Sequence, residues 1–136
     1  MSAEFEWNVR VYYEDTDAAG VVFYANYLRY MERARTEWLR NIGFEHHKLH
    51  EEFGVLFAVK KLTIDYIMPA RLDELLTITS RFLSHRGASI TFAQQIKNEN
   101  NELLSQAEVK VACLNAETLR PSAMPDALLT ELLDVH

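Results

Sequence analysis

Hydrophobic and polar residues alternate near the start of the chain, a pattern typical of a half-buried β-strand. Val9, Val11 and Tyr13 fall on one side of this predicted strand, and the intervening residues, beginning with Asn8, fall on the other. A turn-like, acid-rich segment follows Tyr13. The sequence therefore predicts a strand that leads directly into a turn.

A helical spacing replaces the alternation from Asn26 onward. Apolar residues recur at every third or fourth position, on a stripe formed by Tyr27, Met31, Ala34, Trp38 and Ile42. Gly43 is the expected end of the helix. Other apolar residues lie off the stripe, namely Leu28, Tyr30 and Leu39. This wide distribution predicts that the helix is enclosed and lies at the centre of the core.

The rest of the chain predicts a short polar helix in "FEHHKLHEEF", four strands, and a last short helix that begins near Pro125. The inward positions of the four strands are Leu62, Ile64, Tyr66 and Met68; Leu76, Ile78 and Phe82; Ile90, Phe92 and Ile96; and Ala107, Val109, Val111 and Cys113. This order of elements favours an α+β fold in which an antiparallel sheet curls around one helix.

Composition narrows the class of protein. A chain of 136 residues with 49% hydrophobic and 25% charged residues predicts one domain over residues 1–136. A net charge of -6 gives no basic surface for nucleic acid or an anionic membrane, and no run approaches the roughly 18 apolar residues of a membrane span. The start "MSAEFEWNVR" has no signal-peptide pattern and Cys113 has no partner cysteine, so we expect a cytoplasmic protein.

The segment "YYEDTDAAGVVFYANY" between the first strand and the long helix is the main candidate for a functional site. It carries Glu14, Asp15 and Asp17, followed by small residues up to Gly20. Turn formation or helix capping is one interpretation of the aspartates. A catalytic site is the other, because free N–H groups at a helix start can stabilise an oxyanion and small residues let a ligand approach the backbone.

A carboxylate beside such N–H groups suits the hydrolysis of a thioester. A thiol with a pKa of about 8.5 leaves as thiolate without a general acid, whereas an amide or alkyl ester needs one. Other catalytic patterns are absent from the sequence, which has no G-x-S-x-G motif and no glycine-rich phosphate loop. Cys113 lies in the middle of a predicted strand, and we interpret it as a core residue.

The histidines suggest a metal hypothesis, because His46 and His50 would share one helix face. Lys48 lies between them and no further ligand is evident, so a solvated polar face is the favoured interpretation. The sequence therefore predicts neither a metal nor an organic cofactor. Arg86, in a predicted turn, could contact a ligand phosphate.

Four segments of the chain resemble one known family in order and spacing. They are "YYEDTDAAGVVFYANYLRYMERART", "YIMPARLDELLTI", "SHRGASITF" and "AEVKVACLNAETLRPSAMP". The family is the 4-hydroxybenzoyl-CoA thioesterase family of hotdog-fold proteins, and specifically its Tol-Pal-associated, YbgC-like acyl-CoA thioesterase branch. The resemblance implies a five-stranded antiparallel sheet around one helix, dimers joined edge to edge that often pair into tetramers, and active sites at the subunit interface.

The resemblance also implies roles for individual residues. Asp17 occupies the position of the catalytic carboxylate, as nucleophile or as general base toward water, and Tyr24 occupies the position where the helix N-terminal amide polarises the thioester carbonyl. The chain departs from close YbgC-like relatives at this point, because they often have histidine at the position of Tyr24. The residues expected to bind substrate are Gly20 and Val21 beside the carboxylate, and Arg86, Gly87 and Ser89 in a segment that contacts CoA.

The sequence thus predicts a cytoplasmic acyl-CoA thioesterase that forms a homodimer or homotetramer, with acyl carrier protein and phospholipid-synthesis enzymes as further candidate partners. Two alternatives stay open. A hotdog hydratase or dehydratase would need a histidine five residues after its aspartate, where Val22 stands here. A non-catalytic module that binds acyl carrier protein or an envelope-biogenesis enzyme would use the acidic cluster only as a cap.

Overall fold

A computed structural model of the protein describes residues 4–133. Its elements, in chain order, are β1 (Glu4–Arg10), a 3-10 helix (Tyr13–Asp15), α1 (Tyr24–Asn41), α2 (His46–Phe53), β2 (Val55–Tyr66), β3 (Leu75–Arg86), β4 (Ser89–Lys97), β5 (Leu103–Asn115) and α3 (Asp126–Leu133). The strands form one antiparallel sheet in the order β1-β3-β4-β5-β2. The predicted α+β fold, with a five-stranded antiparallel sheet and one long helix, is confirmed.

Alternation along the strands separates an apolar face from a polar face. The apolar face packs against α1 and is buried at positions such as Leu76, Ile78, Ile90 and Val109. The opposite face carries exposed polar side chains, among them Thr63, Arg81, Gln106 and Glu108. The core therefore lies between α1 and the concave side of the sheet.

The long helix begins at Tyr24, two residues before the predicted start, and ends at Asn41. Gly43 stops it as predicted, with a φ of +88°, a conformation that favours glycine. The N–H of Phe44 donates to the carbonyl oxygen of Leu39 (2.7 Å), the hydrogen bond of a Schellman motif.

The predicted enclosure of α1 is wrong within one chain. Tyr30 and Leu39 are buried, but Arg29, Glu32 and Arg33 are exposed on the far side of the helix. The charged residues at these positions hold that face in solvent.

The prediction for the first strand is also wrong beyond Arg10. The strand ends at Arg10, and Tyr13 lies in the 3-10 helix with its side chain 82% exposed. The carboxylate of Asp15 accepts a hydrogen bond from the N–H of Tyr12 (2.9 Å), and the N–H of Asp15 donates to the carbonyl of Tyr12 (3.0 Å). These local bonds bend the chain away from the sheet.

The second strand stops short of Met68, which the sequence places on the inward face. β2 ends at Tyr66, and the N–H groups of Ile67 and Met68 both donate to the carbonyl of Leu104. One acceptor for two successive N–H groups breaks the alternating ladder. Met68 is therefore 40% exposed. Between residues 4 and 133, no helix is long and apolar enough to cross a membrane.

Candidate active site

The loop that carries Asp17 is a tight hairpin between the 3-10 helix and α1. Thr16 pairs with Val22, and the N–H of Asp17 donates to the carbonyl of Val21 (2.9 Å). Gly20 closes the turn through its N–H to the carbonyl of Asp17 (3.0 Å) and has a φ of +78°. Glycine adopts this left-handed conformation without strain. Gly20 and the half-buried Val21 thus shape the loop next to Asp17.

The carboxylate of Asp17 has one engaged oxygen and one open oxygen. Its Oδ1 accepts a hydrogen bond from the N–H of Ala19 (2.8 Å), which makes an Asx-turn. Its second oxygen accepts no hydrogen bond from the described part of the chain, and the side chain is exposed. Asp17 therefore forms the turn, yet it keeps an oxygen available to a ligand or to water.

The start of α1 has no side-chain cap. Phe23 is the N-cap residue, and no side chain between positions 4 and 133 accepts a hydrogen bond from the first turn. The N–H of Phe23 donates to the carbonyl of Asp15 (3.0 Å), and the N–H of Asn26 donates to the carbonyl of Phe23 (2.8 Å). The capping interpretation of Asp15 and Asp17 is therefore wrong for α1.

Two N–H groups at the helix start are left without an acceptor among residues 4–133, those of Tyr24 and Ala25. They lie at the positive end of the helix dipole. Since Asp17 pairs with Val21, the Cα of Tyr24 lies roughly 10 Å from that of Asp17 along the paired segments. The carboxylate and the free N–H groups therefore lie at the two ends of one short segment, residues 17–25.

Two buried polar side chains of α1, those of Asn26 and Tyr30, lie next to the Asp15 segment. The side-chain amide of Asn26 donates to the carbonyl of Asp15 (2.8 Å), and Asn26 is itself buried. Tyr30 is 1% exposed, and its hydroxyl has no partner with hydrogen-bond geometry among the described residues. Burial, together with the nearby Asp15 carboxylate, raises the pKa of Tyr30 above its ordinary value.

Aromatic side chains surround the start of α1. The ring of Tyr24 is 63% exposed and lies 4.7 Å from the ring of Phe23, centroid to centroid. The ring of Tyr66 meets the rings of Tyr24 (6.3 Å) and Tyr27 (5.2 Å) edge-on. The hydroxyl of Tyr66 donates to the carbonyl oxygen of Tyr24 (3.0 Å). A hydrogen bond from β2 therefore holds the first turn of α1.

The expected CoA-contacting residues lie in the two-residue turn between β3 and β4. Gly87 has a φ of +57°, which fits the first central position of a type II′ turn. The hydroxyl of the buried Ser89 donates to the carbonyl of Arg86 (3.1 Å). The guanidinium of Arg86 is exposed and makes no ion pair between positions 4 and 133.

The structure does not bring this turn to Asp17 within one chain. Val21 pairs with Arg71, four residues before β3 begins, whereas Arg86 ends β3. A 12-residue strand separates the two places by on the order of 30 Å. One ligand could contact both only if they came from two different copies of the chain.

A cavity of about 240 Å³ lies at the other end of α1, between this helix and strands β2, β4 and β5. Its walls include Trp38, Phe57 and Phe92, with Arg35 among the polar side chains. Burial lowers the pKa of Arg35, and its guanidinium donates to Oε1 of Gln94 (2.8 Å). Asp17 does not line this cavity.

The histidines of α2 and Cys113 are the other residues considered as candidates from the sequence. His46 and His50 are exposed on α2, and His50 Nδ1 lies 3.8 Å from a carboxylate oxygen of Glu51. In the described range there is no group of three or more potential metal ligands around them. Cys113 is buried, as predicted, and burial raises the pKa of its thiol.

Three polar residues that position these parts were not predicted to do so, namely Asn26, Tyr66 and Gln94; Tyr66 was predicted to face inward, yet its side chain is 45% exposed. Gln94 gave a detectable signal, because a polar residue stands on β4 between the inward positions Phe92 and Ile96. Asn26 and Tyr66 gave none, since an asparagine near a helix start and a tyrosine in a strand are ordinary choices.

Comparison with known proteins now identifies the family. The sequence profile of the Thioesterase-like superfamily matches residues 11–132. The chain belongs to this superfamily. It is 48% identical over 127 residues to the acyl-CoA thioester hydrolase YbgC of Escherichia coli O6:H1, covering 93% of this chain and 94% of that protein. It is also 48% identical to the acyl-CoA thioesterase YbgC of Haemophilus influenzae, covering 89% and 88%.

Solved structures agree with this assignment. A probable thioesterase from Bartonella henselae superposes with a TM-score of 0.86 at 36% identity, covering 90% of this chain and 100% of that one. A 1,4-dihydroxy-2-naphthoyl-CoA thioesterase from Synechocystis has a TM-score of 0.89, covering 97% of each chain, and its 21% identity supports the fold alone. The expected family and hotdog fold are confirmed.

Proposed function

We propose that the chain, over residues 1–136, acts as a single hotdog domain that hydrolyses acyl-CoA thioesters to a free acid and CoA. The observation that carries this proposal is the uncapped start of α1, where the N–H groups of Tyr24 and Ala25 have no acceptor among residues 4–133 and follow a loop in which Asp17 keeps one oxygen open. Such donors stabilise a developing oxyanion. The similarity to YbgC acyl-CoA thioester hydrolases supports the same reaction.

The free N–H groups bind the carbonyl oxygen of the thioester, and Asp17 then acts in one of two ways. As a general base, its open oxygen takes a proton from water while the hydroxide forms the new C–O bond. As a nucleophile, it forms a mixed anhydride that water hydrolyses. In both cases the C–S bond breaks and CoA leaves as thiolate, which needs no general acid. The imidazole often found at position 24 in close relatives is not required for these steps.

The CoA portion is proposed to contact Arg86, Gly87 and Ser89. The exposed guanidinium of Arg86 suits a phosphate, whereas the hydroxyl of Ser89 is engaged with the turn. The separation of this turn from Asp17 along β3 supports a site shared between two copies of the chain. We therefore propose a homodimer or homotetramer as the active form.

The other proposed features follow from the YbgC-like resemblance. They are a cytoplasmic location, a connection with Tol-Pal and envelope phospholipid metabolism, and acyl carrier protein and phospholipid-synthesis enzymes as partners. An acyl carrier protein would present a thioester of the same chemistry as acyl-CoA, so the region near Asp17 would treat both alike.

Asp17→Asn tests the proposed reaction. Asparagine keeps an oxygen for the N–H of Ala19, so the free energy of unfolding should change by well under about 1 kcal/mol. It is neither base nor nucleophile, so kcat should fall at least roughly a hundredfold while acyl-CoA binding persists. Thiol release is measured across short, long and aromatic acyl-CoAs and one acyl carrier protein thioester.

Asp15→Asn is the matched control. It keeps an acceptor for the N–H of Tyr12 and should lower kcat far less. Wild-type turnover in Asp17→Asn would show that the proposed mechanism is wrong. Absence of thiol release by the wild-type protein on every substrate, with acyl carrier protein still bound, would favour the non-catalytic module.

A further inference from the structure

We infer that Tyr66 is a positioning residue for the proposed reaction, because its hydroxyl holds and polarises the peptide group that supplies one of the two free N–H donors. The inference rests on the proposed function. It concerns the peptide between Tyr24 and Ala25, which contains the carbonyl of Tyr24 and the N–H of Ala25. Tyr66 contacts the carbonyl end of this group, and the substrate would contact the N–H end.

The hydrogen bond from Tyr66 comes from a strand end that is itself bonded on both sides. The hydroxyl lies 3.0 Å from the carbonyl oxygen of Tyr24, at the long end of the normal range for such a bond. Tyr66 is the last residue of β2 and is flanked by two bonds to β5: Ser105 Oγ donates to the carbonyl of Asp65 (2.9 Å), and the N–H of Ile67 donates to the carbonyl of Leu104 (2.8 Å). The sheet therefore fixes the position of the hydroxyl.

The helix start needs such support because its own side chains supply none. No described side chain caps the first turn, so the orientation of the peptide between Tyr24 and Ala25 depends on its carbonyl contacts. That carbonyl also accepts the ordinary helical bond from the N–H four residues later. The edge-on rings of Tyr24 and Tyr27 restrict the ring of Tyr66. The donor N–H of Ala25 is consequently held in one direction before a substrate binds.

The bond also changes the strength of the donor. Donation to a carbonyl oxygen polarises the amide and makes its N–H a better donor, a cooperative gain of about 10–30% per bond. Partial burial raises the pKa of Tyr66, so its hydroxyl keeps its proton throughout the neutral range. It therefore acts through the peptide and not as a general acid or base.

Tyr66→Phe is the direct test, because it removes the hydroxyl and keeps the ring. Losing an oxyanion donor outright costs about 10²–10³ in kcat, whereas this variant only weakens one, so kcat should fall roughly tenfold. KM should stay within about twofold, because the effect is confined to the transition state. The matched control is Tyr13→Phe, whose hydroxyl is not bonded to the described residues and which should match the wild type.

A second measurement does not depend on turnover. In the substrate-free protein, the amide proton of Ala25 should resonate at higher field in Tyr66→Phe than in the wild type, because its peptide is less polarised. An unchanged kcat in Tyr66→Phe, with an active wild type and an impaired Asp17→Asn, would refute the role of Tyr66 alone. A fall in kcat accompanied by a lower melting temperature and by changed amide signals throughout α1 would also refute it. Such a result would show that the contact of Tyr66 only stabilises the helix. A wild type without thioesterase activity would refute the proposed function itself.

Discussion

Single hydrogen bonds decide what the residues at the start of α1 can do. Asp15 and Asp17 are two positions apart, yet Asp15 accepts the N–H of Tyr12 inside a turn, whereas Asp17 keeps one oxygen open to solvent. Tyr30 lies below them with a buried hydroxyl that lacks a well-formed hydrogen bond. The region thus contains a carboxylate oxygen that is open to solvent, on Asp17, and a buried hydroxyl without a good partner, on Tyr30. The first affects the proposed reaction, and the second affects stability.

Tyr30→Phe should make the protein less sensitive to alkaline pH. The pKa of Tyr30 is raised in the folded state, so the folded protein keeps a proton that the unfolded chain loses above pH of about 10. The stabilisation is complete below that pH and falls above it, by roughly 1.4 kcal/mol per pH unit for one group. Urea denaturation between pH 7 and 11 measures this slope.

The variant should show a shallower loss of stability above pH 10. A smaller slope remains expected, because burial also raises the pKa of Tyr27 and of Tyr66. At pH 7 Tyr30→Phe should be as stable as the wild type or more stable, since it removes a buried hydroxyl without a good partner. Identical slopes in the two proteins would contradict this account.

At the scale of elements, hydrophobic periodicity predicts the helices and strands whose apolar faces pack in the core. It does not predict an element end that is set by local hydrogen bonds. The sequence predicts the apolar stripe from Tyr27 to Trp38 and the helix end at Gly43, because burial and a positive φ restrict the residue types at these positions. The sequence does not predict the end of β1, because hydrogen bonds between Tyr12 and Asp15 end the strand although the alternating pattern continues. A sequence motif indicates the position of Asp17, whereas its free oxygen and the contact of Tyr66 depend on how the loop and β2 pack in three dimensions.

A buried hydrogen-bonded cluster centred on Gln94 connects α1 to the sheet. The sequence did not predict it. The side chain of Gln94 is 1% exposed and accepts from the guanidinium of Arg35 (2.8 Å). Its amide donates to the carbonyl of Met31 (3.0 Å) and to Oγ of Ser80 (2.8 Å). All its polar atoms are thereby satisfied in the core, which joins the middle of α1 to β3 and β4.

Gln94→Leu should lower the free energy of unfolding by about 2–4 kcal/mol, because it leaves the guanidinium of Arg35 desolvated without its acceptor. The double variant Arg35→Met with Gln94→Leu should lose less than the sum of the single losses, by about 1–2 kcal/mol. Gln95→Leu, the next residue on the opposite face of β4, is the control and should change stability by less than about 1 kcal/mol. Strict additivity in denaturant titrations would argue against the coupling.

At the scale of the whole molecule, the two edges of the sheet differ. The edge strand β1 exposes alternate polar and charged side chains, among them Glu4, Glu6 and Arg10, a pattern that discourages pairing. The other edge strand, β2, is 12 residues long and pairs with β5 on one side, with a register shift between Val59 and Lys61. Val59 on this strand is 53% exposed. Because β2 is longer than the 7-residue β1 and exposes the apolar Val59, we expect a second copy of the chain to pair with this edge.

We expect sedimentation to show a dimer or tetramer at micromolar concentration, and β2 to form the contact. Val59→Lys should weaken self-association at least roughly tenfold, because it replaces the exposed apolar side chain of β2 with a third charge next to Lys60 and Lys61. Thr79→Lys, in the middle of the sheet on its outer face, is the matched control and should not alter the sedimentation. If the Asp17 region and the Arg86 turn of two copies share one substrate, kcat/KM of Val59→Lys should fall on dilution together with the oligomer. A dilute wild-type monomer with full turnover would contradict both the contact and the shared site.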